Sequence, residues 1–164
     1  MNSTAFLLVL ISALSFSLGA LPAHSGDLEL DVSVKSVGSK KSGRSHTSNR
    51  ILVVRIDNRG DEVYRGLKLE WKVAGRDVKT RRTKIVATGS ESVDLPADEE
   101  VEVETRRFSF TTTDGKVERI RSRKKGQQDR FKVHPDTGAR YSGYSVVLKR
   151  DGKVVAEAGT PGVR

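Results

Sequence analysis

Cysteine is absent from the 164 residues. That one absence excludes disulfides, thiolate metal sites, cysteine nucleophiles and a lipid-modified N-terminal cysteine. Aromatic residues are scarce at 5%, with a single tryptophan, so a core has to be built mostly from Val, Leu and Ile. No segment carries an apolar period of three to four, and no internal repeat is visible, so neither a helical bundle nor a solenoid is expected. Catalytic signatures are also missing. There is no Gly-x-Ser-x-Gly elbow, no phosphate loop, and no helical pairing of His24, His46 or His134 with another ligand. Asp57, Asn58, Asp61 and Glu62 lack the spacing and distant Glu of a calcium loop. Neither an enzyme, a metal nor a cofactor is expected.

Alternation and charge are what the chain does have. In Leu67–Val73 the residues Leu67, Leu69, Trp71 and Val73 share one parity, and Lys68, Glu70 and Lys72 share the other. Period two of this kind marks a half-buried strand. The same pattern occurs in Leu28–Val34, Leu52–Ile56 and Tyr144–Leu148, and more weakly in Thr83–Thr88. Val101 and Val103 lie on one parity and Phe108 and Phe110 on the other, which demands a bulge near Thr105–Arg107. Asp57–Glu62 is a turn by composition, and Asp151-Gly152 predicts a closing hairpin to Val154 and Ala156. Gly38–Asn49, Gly75–Arg82 and Gly89–Glu99 read as connections, and Thr111–Gly143 as an irregular basic insertion with an Asp114-Gly115 hairpin turn. The expected fold is all-β, an immunoglobulin-like antiparallel sandwich of about seven strands, lettered A to G, spanning residues 24–164. Trp71 falls on strand C, as a core anchor.

Met1–Ala23 holds no charged side chain and an apolar run at Ala5–Leu18. It predicts a signal peptide, and with it export to the periplasm, cell surface or medium and no membrane span after cleavage. The rival reading is an uncleaved membrane anchor, which Ser12, Ser15, Ser17, Gly19 and Pro22 weaken.

Ile51–Glu62, followed by Leu67–Trp71, resembles bacterial immunoglobulin-like modules of the CARDB kind, in which a strand ends in an Asn-x-Gly-Asp turn. Val93–Ala97 before Val101–Val103 is similar to their later Leu-Pro element. The likeness spans Leu28–Val103 and the last hairpin, not Ser109–Gly143. It implies a sandwich fold and an adhesion-related role, and transfers no catalytic residue. Asp136-Thr137-Gly138 ahead of Tyr141 is similar to an antibody tyrosine corner.

The net charge is +9, yet Lys35–Arg50, Arg76–Arg82 and Thr111–Ser142 carry +5, +3 and +5, leaving the remainder at −4. As A–B, C–D and E–F connections they belong at one end of a sandwich, opposite an acidic end with Glu91, Asp94, Asp98, Glu99 and Glu100. The expected site is a basic pole of Lys40, Lys41, Arg44, Arg76, Lys79, Arg81, Arg82, Arg119, Arg121, Arg123, Lys124 and Lys125. Its expected partner is an acidic polysaccharide or another anionic envelope surface. Nucleic acid is disfavoured, because no aromatic residue punctuates the basic runs for base stacking. The alternative is a structural module that docks a protein partner of the cell envelope.

Overall fold

The structure, a computed structural model, describes residues 27–121 and 128–163. The expected signal peptide, and Arg123, Lys124 and Lys125 of the expected site, lie outside the described residues.

Ten strands follow in order: β1 (Leu28–Ser42), β2 (Ser45–Asn58), β3 (Tyr64–Asp77), β4 (Thr83–Leu95), β5 (Glu100–Glu104), β6 (Phe108–Thr113), β7 (Lys116–Ile120), β8 (Arg130–His134), β9 (Thr137–Arg150) and β10 (Lys153–Gly159). Every ladder is antiparallel. The fold is an immunoglobulin-like β-sandwich. One layer is β1, β2 and the pair β5/β6, and the other is β4-β3-β9-β10. β5 and β6 are two halves of one strand, since both pair with β2. Counted so, seven strands build the sandwich, and β7 with β8 stand apart from it. The fourth strand pairs with the third, whereas constant-type antibody domains place it in the other layer.

Alternation places the core. Leu52, Val54 and Ile56 of β2 face Leu67, Leu69, Trp71 and Val73 of β3, with Val146 and Leu148 of β9 beside them, all buried. Trp71 sits at the middle of β3, between Gly89 of β4 and Val146 of β9. Its indole occupies the place of a side chain at position 89, where an added Cβ would lie 2.3 Å from the ring.

The break between β5 and β6 falls at Thr105–Arg107, where the change of parity demands it. Three residues there face two on β2. Thr105 repairs the ladder: its N–H donates to Leu52 O at 2.9 Å, and its hydroxyl accepts from Leu52 N–H at 2.9 Å. Leu52 thus keeps both backbone partners inside the core, and Thr105 is buried with it.

Several expected connections are strands. Gly38–Asn49 is the tip of a long hairpin that turns at Gly43, whose φ of +54° suits a glycine-led two-residue turn. Its Ser/Thr content reads as loop because the strand carries no apolar alternation. Backbone pairing on both sides of β2 holds it, with hydroxyl contacts Ser45–Thr113 and Thr47–Thr111 at 2.9 Å. β4 runs through Gly89 to Leu95, burying Val93 and Leu95. β3 continues to Asp77 past bulges at Val86 and Ser142 of its neighbours, so that Ala74 and Gly75 are both buried. The insertion expected at 111–143 is largely strand, and Asp114-Gly115 is a corner from β6 into β7, not a hairpin turn.

On the outer face of β3 and β9, Lys149 donates to Glu70 at 2.6 Å and Lys68 lies 2.8 Å from it. Those two ammonium groups hold the Glu70 carboxyl at a pKa of about 2, below its ordinary 4.5. The depressed folded value means that the pair stabilises the fold above about pH 4.5 and ceases to as the pH falls towards 2. Acid titration of the unfolding midpoint is expected to be flatter across that window in Glu70→Gln than in the parent.

Candidate polyanion-binding pole

The β1–β2 tip, the β3–β4 turn and the root of the β7–β8 arm meet at one end of the sandwich. Asp114 N–H donates to Arg44 O at 2.9 Å, and the Arg44 guanidinium returns a bond to Asp114 O at 2.6 Å. Val78 N–H donates to Gly138 O at 2.9 Å, tying the β3–β4 turn to the start of β9. β6 and β9 pair at Thr112–Gly138 and Thr113–Thr137, joining the two layers at this corner. The approach is close. A Cβ at Gly138 would lie 2.1 Å from Thr111 O, and its φ is +102°.

Two acids at this end, Asp77 and Asp136, are engaged by backbone amides, while Asp114 lines a groove beside the cations. One Asp77 carboxylate oxygen accepts Lys79 N–H at 3.0 Å, Thr80 N–H at 2.7 Å and the Thr80 hydroxyl at 3.0 Å. Those bonds, led by Thr80, hold the Asp77 carboxyl below the usual range. Asp136 accepts Gly115 N–H at 2.6 Å. The cations are treated differently. Among the described residues, Lys40, Lys41, Lys79, Arg81, Arg82, Arg121 and Arg140 have no carboxylate at ion-pair distance.

Two grooves open between them. A groove of about 510 Å³ is lined by Lys41, His46, Arg50, Arg140 and Tyr141, with Asp114 as its one acid. A second, of about 460 Å³, is lined by Arg76, Asp77, Arg81, Asp136 and Arg140. Arg140 borders both. The Arg50 guanidinium lies 5.1 Å from the centre of the Tyr141 ring, and its buried Nε has no hydrogen-bond partner. The Tyr141 ring meets Phe110 edge-on at 5.9 Å, which fixes the platform on the core. Tyr141 is therefore a groove wall, and the hydroxyl that reaches a backbone carbonyl is that of Tyr144, 3.2 Å from Val32 O.

The expected site residues divide. Lys40, Lys41, Arg76, Lys79, Arg81 and Arg82 gather at the pole, although Arg76 Nε already donates to Arg81 O at 3.0 Å. Arg44 is committed to the arm root. Arg119 lies out on the arm, with Nε and a terminal nitrogen both 2.5 Å from Asp129. Arg121 is exposed at the end of the described arm. Arg140, Arg50 and Tyr141 were not singled out by their charge runs. The alternation of β9 placed Tyr144 inward, and only the bulge at Ser142 brings Tyr141 and Arg140 to the groove.

No family model matches this chain, and neither does any curated protein. Among solved structures it is similar to an X-ray structure of a Northeast Structural Genomics Consortium target, at 10% identity. The match covers 68% of this chain and 85% of that one, with a TM-score of 0.38. At that level the likeness assigns no function.

The opposite end has its own order. Asn58 is fully buried and donates to Glu62 O at 2.8 Å and Pro96 O at 2.6 Å, while its Oδ1 accepts Gly60 N–H at 3.2 Å. Some of the acids here are paired: Glu62 with Arg150 at 2.6 Å, and Asp57 and Glu29 with Arg59. Glu91 and Asp94, expected in a loop at this end, lie on β4. Among the described residues no group of three His, Cys, Asp or Glu side chains is placed to hold a metal.

Proposed function

We propose that this chain is an exported, non-catalytic binding module whose basic pole holds an acidic polysaccharide of the cell envelope. The observation that carries the reading is the convergence of three basic segments on one end, where Asp77 and Asp136 are engaged by backbone amides and Lys40, Lys41, Lys79, Arg81, Arg82 and Arg140 have no ion pair among the described residues. Such a pole attracts a polyanion through many weak, exchangeable contacts. Two neighbouring grooves that share Arg140 suit a chain of repeated carboxylates better than a single small anion. The Arg50–Tyr141 platform offers a flat surface against which a sugar ring can rest beside a cation.

Binding of this kind releases counterions and weakens steeply with salt. Titration against a soluble polyuronate such as alginate, from low to physiological ionic strength, is expected to give a linear fall of log affinity with log salt. Replacing Lys40, Lys41, Lys79 and Arg82 by Ser is expected to lower both the affinity at low salt and the slope. An unchanged slope in that variant contradicts the proposal.

A further inference from the structure

β7 and β8 form an arm outside both layers of the sandwich, paired only with each other over five residue pairs. The register sorts its side chains. Val117 faces Val133 and Arg119 faces Phe131 on one side, while Lys116–His134, Glu118–Lys132 and Ile120–Arg130 occupy the other. On the first side Val117, Phe131 and Val133 are 65%, 65% and 69% exposed. Three large apolar side chains on one face of a two-stranded ribbon, with no layer beneath them, are a poor arrangement in water. A lone hairpin is marginal there at best. The root is nevertheless firm, held by Asp114 on Arg44 and by Asp136 on Gly115.

The ten strand residues of the arm carry Lys116, Arg119, Arg130 and Lys132 against Glu118 alone. Its root is flanked by Lys41 and Arg140 on one side and Arg76 and Arg81 on the other. An apolar face backed by cations and rising from a basic pole matches one partner best, the surface of an anionic bilayer. We propose that the arm lies in such a surface with Val117, Phe131 and Val133 at the boundary between headgroups and acyl chains. The headgroup layer is roughly 5–8 Å thick on each side of the hydrocarbon. Lys116, Arg130 and Lys132 on the opposite face of the ribbon then stand at the level of the lipid phosphates. A second copy of the chain fits less well. Stacking two arms sets like charges together, and two five-residue strands bury far less than the ~1,000 Å² of a specific interface. This inference rests on the reading of the pole as a polyanion contact and names the surface to which that contact is tethered, yet its decisive side chains are apolar.

Co-sedimentation with vesicles of phosphatidylglycerol and phosphatidylcholine tests it, with pure phosphatidylcholine for comparison. The full chain is expected to bind the anionic vesicles, and Val117→Ser, Phe131→Ser and Val133→Ser together are expected to weaken that binding about tenfold or more. Alginate affinity is expected to be unchanged in the triple variant, which separates this inference from the proposed function and shows that the variant is folded. A Phe131→Trp variant places a reporter at the site, and brominated lipids are expected to quench the added fluorescence. Vesicle binding that survives the triple substitution, no quenching of Phe131→Trp, or a triple variant whose main change is loss of a dimer would each overturn the inference.

Discussion

Trp71→Ala is expected to lower stability by about 3–5 kcal/mol, a large fraction of the roughly 5–15 kcal/mol that holds a domain folded. The indole is 3% exposed and rests against Phe108, with ring centroids 6.5 Å apart. It fills the volume above Gly89, which β4 leaves free by having no side chain there. Truncation leaves a cavity that the two strands bonded to β3 cannot close, because each pairs without a break on both sides of Trp71, from Lys68 to Val73. Gly89→Ala is the reciprocal experiment. Its Cβ would lie 2.3 Å from the ring, so the indole must shift, and overpacking of this kind costs about 1–3 kcal/mol. Trp71→Phe is expected to be milder than Trp71→Ala. It keeps an aromatic body and removes an indole N–H that is buried without a hydrogen-bond partner. Denaturant midpoints of the three variants give the order directly.

Asn58→Leu is expected to cost about 3 kcal/mol, with the loss concentrated at the end of the sandwich away from the basic pole. The side chain amide satisfies the carbonyls of Glu62 and Pro96 and the N–H of Gly60 together. Removing it leaves two carbonyls and one N–H short of a partner at a partly buried site, and each such loss is worth about 1–3 kcal/mol without being additive. Asn58→Asp sharpens the point. The two side chains are nearly the same shape, but a carboxylate cannot donate, and at neutral pH it would face two carbonyl oxygens. Asn58→Asp is therefore expected to be as damaging as Asn58→Leu at pH 7, and to recover in part once acid protonates the carboxyl. Hydrogen exchange of the Asp57–Glu62 and Ala97–Glu100 amides locates the effect.

The scaffold was legible wherever apolar residues alternate. Leu67–Val73, Leu52–Ile56 and Tyr144–Leu148 announce their buried faces, and the parity change between Val103 and Phe108 announces a bulge. Legibility fails where a strand is held by its backbone alone. Ser45–Asn49 pairs on both edges yet buries no apolar stripe, so composition marks it as a loop. It fails again beyond a bulge. Ala74 and Gly75 extend β3 only because Val86 and Ser142 are looped out on its neighbours, and no count along one strand reveals an extra residue on another. Charge runs pointed to the pole, but not to how its acids are used. Asp77 and Asp136 look like partners for the nearby arginines and are instead held by turn amides. Arg140 sits among weaker signals in sequence, and its place between two grooves follows from β9 returning beside the β3–β4 turn. The arm had no signature, because Val117, Phe131 and Val133 are too few and too interrupted by charge to read as strands.

Location of charge, as opposed to its amount, is the central claim, and a matched pair of variants measures it. One replaces Lys40, Lys41, Lys79 and Arg82 by Ser at the pole. The other replaces Arg65, Lys72, Arg106 and Lys153 by Ser, four exposed cations away from it. Both remove the same net charge, and none of the eight has an ion-pair partner among the described residues. Alginate affinity at fixed low salt is expected to fall by about tenfold or more in the first variant and by no more than about twofold in the second. Equal losses in the two would contradict a localised site and leave only a basic protein attracted to a polyanion by its net charge.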